Sequence, residues 1–213
     1  MLRLSAFVLL SVLMIGHAVA GGKTVAGRFD YYVLSLDWSP SWCALGGTSR
    51  GAAECAAGQK RGFVLHGLWP QFEHGWPSYC DTTAPPPSPG IRETMAQIMG
   101  SPAAVAHQWD KHGRCAGLSA KAYFNTAQKA FERIRRPAIL RQILRPVALP
   151  ASVVKAAFLE VNPTLKPDMI RLSCKNGYFQ EVRICLSKAL TPRACGADLR
   201  RDCRKKVLFP PLR

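Results

Sequence analysis

The sequence predicts an α+β fold: a single domain with an antiparallel sheet packed with several helices, and disulfide-bonded. Three observations predict it. Strand-like alternation clusters at the two ends of the chain and helix-like periodicity fills the middle, where an α/β fold would alternate the two. Eight cysteines are present, an even number, the first of them Cys43. Residues 21–213 carry no internal repeat and no coiled coil. The proline run around Pro85–Pro89 is no domain boundary, because chemistry-bearing residues lie on both sides of it.

Residues 1–20 read as a signal peptide. Arg3 supplies the positive start, Ala6 to Ile15 a short apolar run, and Ala18-Val19-Ala20 a small-residue cleavage site before Gly21. The apolar run is too short to span a bilayer and no second one follows, so an anchor is the weaker reading. The expected protein is exported, periplasmic or secreted, free of the membrane after leader removal, and a monomer. In that compartment the cysteines read as up to four disulfides; spacing alone does not give their pairing.

Phe29 to Trp38 predicts a strand with Tyr32, Leu34, Leu36 and Trp38 on one face and Tyr31, Val33, Ser35 and Asp37 on the other. Ala44 to Gln59 is small, polar and Gly-rich, hence a loop. Gly62 to His66 predicts a short strand with His66 at its end, after which Pro70 turns the chain. Ile91 to Met99 has helical periodicity. Ser101-Pro102 starts a helix that Gly113 is expected to close. Ser119 caps a longer helix over 120–135, a short helix is expected over 138–144, and another over 152–160. Met169 to Lys175 and Tyr178 to Ser187 flank Asn176-Gly177, a hairpin signal.

Lys and Arg number 29 against 13 Asp and Glu, a net charge of +16, of which only Arg3 belongs to the leader. Arg200, Arg201, Arg204, Lys205 and Lys206 concentrate the charge near the C-terminus. Such a field attracts polyanions. It leaves nucleic acid, anionic glycan and lipid headgroups open, and it says nothing about catalysis.

The chemistry is carried by histidine. Of five histidines, His17 lies in the leader. Three of the other four fall in two aromatic-rich segments: His66 in His66-Gly67-Leu68-Trp69-Pro70, and His107 and His112 in His107-Gln108-Trp109-Asp110-Lys111-His112-Gly113. His74 reads as loop surface, and Trp109 as a residue that packs its helix on the sheet. His107 and Lys111 share a helix face. His112, at the helix C-terminus, is expected to have its protonated form favoured by the macrodipole.

Two histidines give and take protons near neutrality, and a lysine stabilises negative charge. RNA carries its own nucleophile, the 2′-hydroxyl, so that set suffices for its cleavage. No metal and no cofactor is expected. His107 and His112 are not spaced as in His-Glu-x-x-His, and no close Cys-x-x-Cys pair suggests zinc.

His66-Gly67-Leu68-Trp69-Pro70 and Lys111-His112-Gly113-x-Cys115 resemble the two active-site signatures of the ribonuclease T2 family. Phe29-Asp30-Tyr31-Tyr32-Val33-Leu34, Trp38-Ser39-Pro40-x-x-Cys43 and Phe158-Leu159-Glu160-x-Asn162-Pro163 extend the resemblance over nearly the whole of 21–213. It implies an endoribonuclease that cleaves single-stranded RNA through a 2′,3′-cyclic phosphate to a 3′-phosphate. It implies His112 as base, His66 as acid, and His107 and Lys111 as phosphate-holding groups. Trp69 would stack on a base, Gln71 stands at the base-contacting position, and Phe72 reads either as lining a base pocket with Trp69 or as packing a surface loop. It also implies the pairs Cys43–Cys55, Cys80–Cys115, Cys174–Cys203 and Cys185–Cys195.

Two positions depart from the family pattern. Gln108 stands where Glu is usual, and Gln71 where Asp is frequent. Glutamine hydrogen-bonds a phosphate oxygen but carries no charge, so reduced or pH-shifted activity is expected. The rival reading is a secreted RNA-binding or toxin-like module with weakened or lost catalysis.

Overall fold

The computed structural model describes residues 25–199, 202–203 and 206–213. The leader at 1–20, and Arg200, Arg201, Arg204 and Lys205 of the basic stretch, lie outside the described residues. The fold is α+β, as the patterning predicts. The order is β1 (Tyr31–Trp38), α1 (Ser39–Trp42), β2 (Phe63–Gln71), α2 (Pro89–Met99), α3 (Pro102–Lys111) and α4 (Ala120–Arg133). It continues with β3 (Val147–Pro150), α5 (Ala151–Val161), β4 (Ile170–Lys175), β5 (Tyr178–Leu186) and β6 (Lys206–Phe209). Among the described residues no helix is long and apolar enough to cross a membrane.

The sheet runs β2-β1-β5-β6-β3, with β4 also paired to β5. Among the described residues the named strands pair antiparallel except β5 with β6. The alternation of β1 divides its side chains as expected. Tyr32, Leu34, Leu36 and Trp38 enter the main core with Trp109, Tyr123, Phe124 and Phe158. Tyr31 and Val33 pack with Cys185 on the opposite face. That second face carries the polar residues of the site.

Ser88, Ser101 and Ser119 cap α2, α3 and α4, each hydroxyl accepting from the backbone N–H three residues on. Trp109 and Val105 bury one side of α3 in the core, which leaves its polar side against β2.

Several elements differ from the patterning. β2 does not end at His66 but continues to Gln71 through Pro70. It lies at the sheet edge, where a proline costs no ladder bond on the open side. Residues 138–142 form a 3₁₀ turn in place of the helix expected over 138–144. The loop over 44–59 holds short helical turns. Gly113 does not close α3 in a left-handed conformation; the cap is His112, and Gly113 opens a 3₁₀ turn that ends at left-handed Gly117. Glycine is needed at 113 for closeness, since a Cβ there would lie 2.6 Å from the Trp109 ring.

The four disulfides are those the resemblance implies: Cys43–Cys55, Cys80–Cys115, Cys174–Cys203 and Cys185–Cys195. Cys80–Cys115 ties the segment after β2 to the turn after α3. It therefore holds the two histidine motifs side by side.

Candidate active site

His66 sits at a β-bulge. Ser35 of β1 opposes Gly67 and Leu36 opposes Leu65, so His66 is the extra residue on β2. A bulge shifts the parity of a strand and re-aims a side chain. Leu65 and Leu68, three apart, consequently both enter the core, and His66 is left on the polar face with Trp69.

Two carboxylates from neighbouring strands meet it there. Asp37 of β1 and Glu181 of β5 are cross-strand partners. His66 Nδ1 lies 3.2 Å from Asp37 Oδ1 and 3.2 Å from Glu181 Oε1. It donates to Glu181, while Asp37 Oδ1 is buried without a hydrogen-bond partner. Arg183 Nε donates to the other oxygen of Glu181 at 2.6 Å.

Burial alone would lower the pKa of His66. The charges of Asp37 and Glu181 beside Nδ1, with the hydrogen bond that Glu181 accepts, outweigh it and push the imidazole up to about 10. Burial would raise Glu181, but His66 and Arg183 hold it down at about 2. Asp37 is raised, because burial and the charge of Glu181 exceed the help it receives from His66.

His112 has the opposite surroundings. It is buried at the end of α3. Its ring stacks on Trp69 with centroids 5.1 Å apart and planes 26° apart, and Nδ1 is buried without a hydrogen-bond partner. Burial, then the charges of Lys111, His66 and His107, push it down to about 3. The expectation that the helix terminus favours its protonated form is therefore wrong. The macrodipole acts over the last turn at modest strength, and desolvation among cations exceeds it.

Gln108, also buried, is fixed by Trp69, whose indole Nε1–H donates to Gln108 Oε1 at 2.8 Å. Indole is a donor only, so it selects the amide oxygen and leaves the NH₂ as the group for other partners. Gly67 permits the contact, since a Cβ at 67 would fall on Gln108 Oε1 and Trp69 Nε1.

Two cavities of about 560 and 340 Å³ share His66, His107 and Gln108 as their common wall. The larger extends past Asp37, Glu54, Arg61 and the start of α3. The smaller holds Trp69, Gln71, Trp76, Lys111, His112 and Arg183. One imidazole whose pKa is pushed up and one whose pKa is pushed down thus face a common cleft, with His107 and Lys111 beside them.

Residues 29–195 match the model of the Ribonuclease T2 family. A ribonuclease of Aeromonas hydrophila is 32% identical over 178 residues, covering 83% of this chain and 80% of that protein. The chain belongs to the ribonuclease T2 family. Ribonuclease S-2 of Antirrhinum hispanicum is 29% identical over 192 residues, covering 80% of this chain and 77% of that protein. The fold is shared with an RNase-related protein from Calystegia sepium, at a TM-score of 0.67 and 20% identity, over 86% of this chain and 98% of that one. It is shared too with RNase NT in complex with 5′-AMP, at a TM-score of 0.64 and 24% identity, over 86% of this chain and 99% of that one.

Of the site residues the sequence singles out, His66, Trp69, Gln71, His107, Gln108, Lys111 and His112 all line the smaller cavity. Phe72 does not; it packs against the main core, and the exposed aromatic at the cavity is Trp76. Trp69, expected to stack on a base, is engaged by the protein: His112 stacks on it and the Arg183 guanidinium lies 5.2 Å from its ring centre. His74 is exposed and lies 3.6 Å from Asp198, as a loop-surface residue would. Asp37, Glu181, Arg183 and Trp76 were not singled out by the motifs. The available signal was an acid on the non-core face of a predicted strand.

Proposed function

We propose that the chain is an exported, monomeric enzyme that cleaves single-stranded RNA by metal-independent acid–base transfer. Membership of the ribonuclease T2 family makes it an endoribonuclease; the proposal concerns how it works. What supports it is the placing of two histidines on one cleft, His66 beside two carboxylates that push its pKa up and His112 buried among cations that push its pKa down.

His112, neutral, takes the proton of the 2′-hydroxyl. The 2′-oxygen attacks phosphorus, and the bond to the 5′-oxygen breaks as His66 gives that oxygen its proton. The carboxylates occupy Nδ1 of His66, so Nε2 is the nitrogen whose proton is transferred. His107, Lys111 and the Gln108 NH₂ hold the phosphoryl oxygens as their charge grows. The product is a 2′,3′-cyclic phosphate. In the slower hydrolysis the roles reverse: His66 takes a proton from water and His112 returns one to the 2′-oxygen.

The cavities on either side of the common wall fit the two nucleosides that flank the cleaved phosphate. In the smaller one, Trp76 offers the open ring surface for a base. Asp37 and Glu181 are positioning residues that keep His66 charged.

The test is product analysis across a UpG-type dinucleotide series with oxidised protein in excess EDTA. The expected result is a nucleoside 2′,3′-cyclic phosphate at neutral pH. Folded protein that yields no cyclic product from acidic to neutral pH would overturn the proposal in favour of an RNA-binding module.

A further inference from the structure

The carboxylates around His66 are one more than a proton needs. Nδ1–H donates a single bond, which goes to Glu181. Asp37 is 8% exposed, and its Oδ1 points at the same nitrogen from 3.2 Å without a hydrogen-bond partner. Nδ1, an oxygen of Asp37 and an oxygen of Glu181 all lie within 4.8 Å of one another.

A tetrahedral divalent ion with bonds of about 2.0–2.1 Å to nitrogen and oxygen has its donors roughly 3.3 Å apart. Both Nδ1–oxygen separations, 3.2 Å, already match that edge. The remaining oxygen–oxygen edge is no longer than 4.8 Å.

We propose that Asp37, His66 and Glu181 form an inhibitory site for a first-row divalent ion of the Zn²⁺ class. One imidazole nitrogen and two carboxylates suit Zn²⁺ and not Mg²⁺ or Ca²⁺, which take larger all-oxygen shells. Glu181 is pre-oriented, because Arg183 holds its other oxygen at 2.6 Å. The fourth position opens to solvent, since Asp37 and His66 border the larger cavity and His66 and Glu181 the smaller.

The ion takes the place of the Nδ1 proton, which leaves as H⁺. His66 then holds only its Nε2 proton. Giving that up would create an imidazolate, so the metallated ring no longer serves as the acid for the 5′-oxygen. The inhibition rests on the role proposed for His66; the binding does not.

The experiment titrates oxidised, EDTA-stripped protein with ZnCl₂. Binding is read by calorimetry and, separately, cleavage of a dinucleotide is followed. The expected result is one ion per chain, cleavage lost as the site fills and restored by EDTA, and no effect of MgCl₂. Asp37→Asn and Glu181→Gln, each nearly isosteric, should weaken binding at least about tenfold, while His74→Ala should leave it unchanged. Zinc binding of undiminished affinity in both carboxamide variants, or no saturable binding to the wild type, would overturn the proposal. Zinc binding that fits this pattern in a protein that cleaves no RNA would uphold the site and refute the cleavage mechanism instead.

Discussion

The bulge of β2 and the end of α3 each present one histidine to the same cleft, and they treat it in opposite ways. At the bulge, His66 is packed between two carboxylates and rises to about 10. At the helix end, His112 is buried against Trp69 among cations and falls to about 3. The side chain is the same, so the assignment of acid and base is made by neighbours. Burial opposes charge in both places; what differs is whether an anion is present to win against it.

The contrast breaks most severely if either ring is removed. His66→Ala and His112→Ala should each lower kcat by roughly 10²–10⁴, while RNA affinity, read by fluorescence anisotropy, stays within a few-fold. Near-normal turnover in either variant would end the role assignment.

A smaller break comes from placing an anion on the side that has none. Gln108→Glu retains an acceptor for the Trp69 indole but loses the amide donor and adds negative charge beside the phosphate. Turnover at neutral pH should fall, by up to about 10², and the acid limb of the pH–rate profile should move upward as His112 gains a carboxylate neighbour. Unchanged or faster turnover would mean that the amide is not adapted to this site.

The complementary change removes an anion from the other side. The wild-type enzyme needs His66 protonated and His112 neutral, so activity should hold between about pH 3 and about pH 10, losing the base below that window and the acid above it. Asp37→Asn and Glu181→Gln should bring the alkaline limb down toward neutrality and leave the acid limb in place. An alkaline limb that does not move would show that the carboxylates do not hold the proton.

The gentlest probe is stability. His112 binds a proton more readily unfolded than folded, so its contribution is present above the ordinary histidine pKa of about 6.5 and is lost as pH falls toward 3. His66 has the reverse sign: its contribution is full below about 6.5 and is lost as pH rises through about 10. Denaturant midpoints of His112→Gln should therefore decline less between pH 6 and pH 4 than those of the wild type. An equal decline would place the acid sensitivity elsewhere.

Much of the site is legible because it is local. His107, Gln108, Lys111 and His112 occupy one short helix, and Ser101-Pro102 announces its start. His66 and Trp69 stand in one strand. The partners of His66 are not local: Glu181 is 115 positions away, and it reaches His66 only because the strand order puts β1 between β2 and β5. The bulge that aims His66 is a property of the β1–β2 register, which alternation along one strand does not reveal. β3 and β6 carry too little pattern to be legible: each is four residues long, one ending in Pro150 and the other starting in a basic run. For His112 the helix terminus is visible in sequence, and the burial that outweighs it is not.

The two imidazoles differ above all in where they titrate, and NMR ring resonances followed against pH report that split residue by residue. The His66 ring should stay protonated until about pH 10 and the His112 ring neutral down to about pH 3. Two rings that titrate together near the ordinary value of about 6.5 would contradict that split.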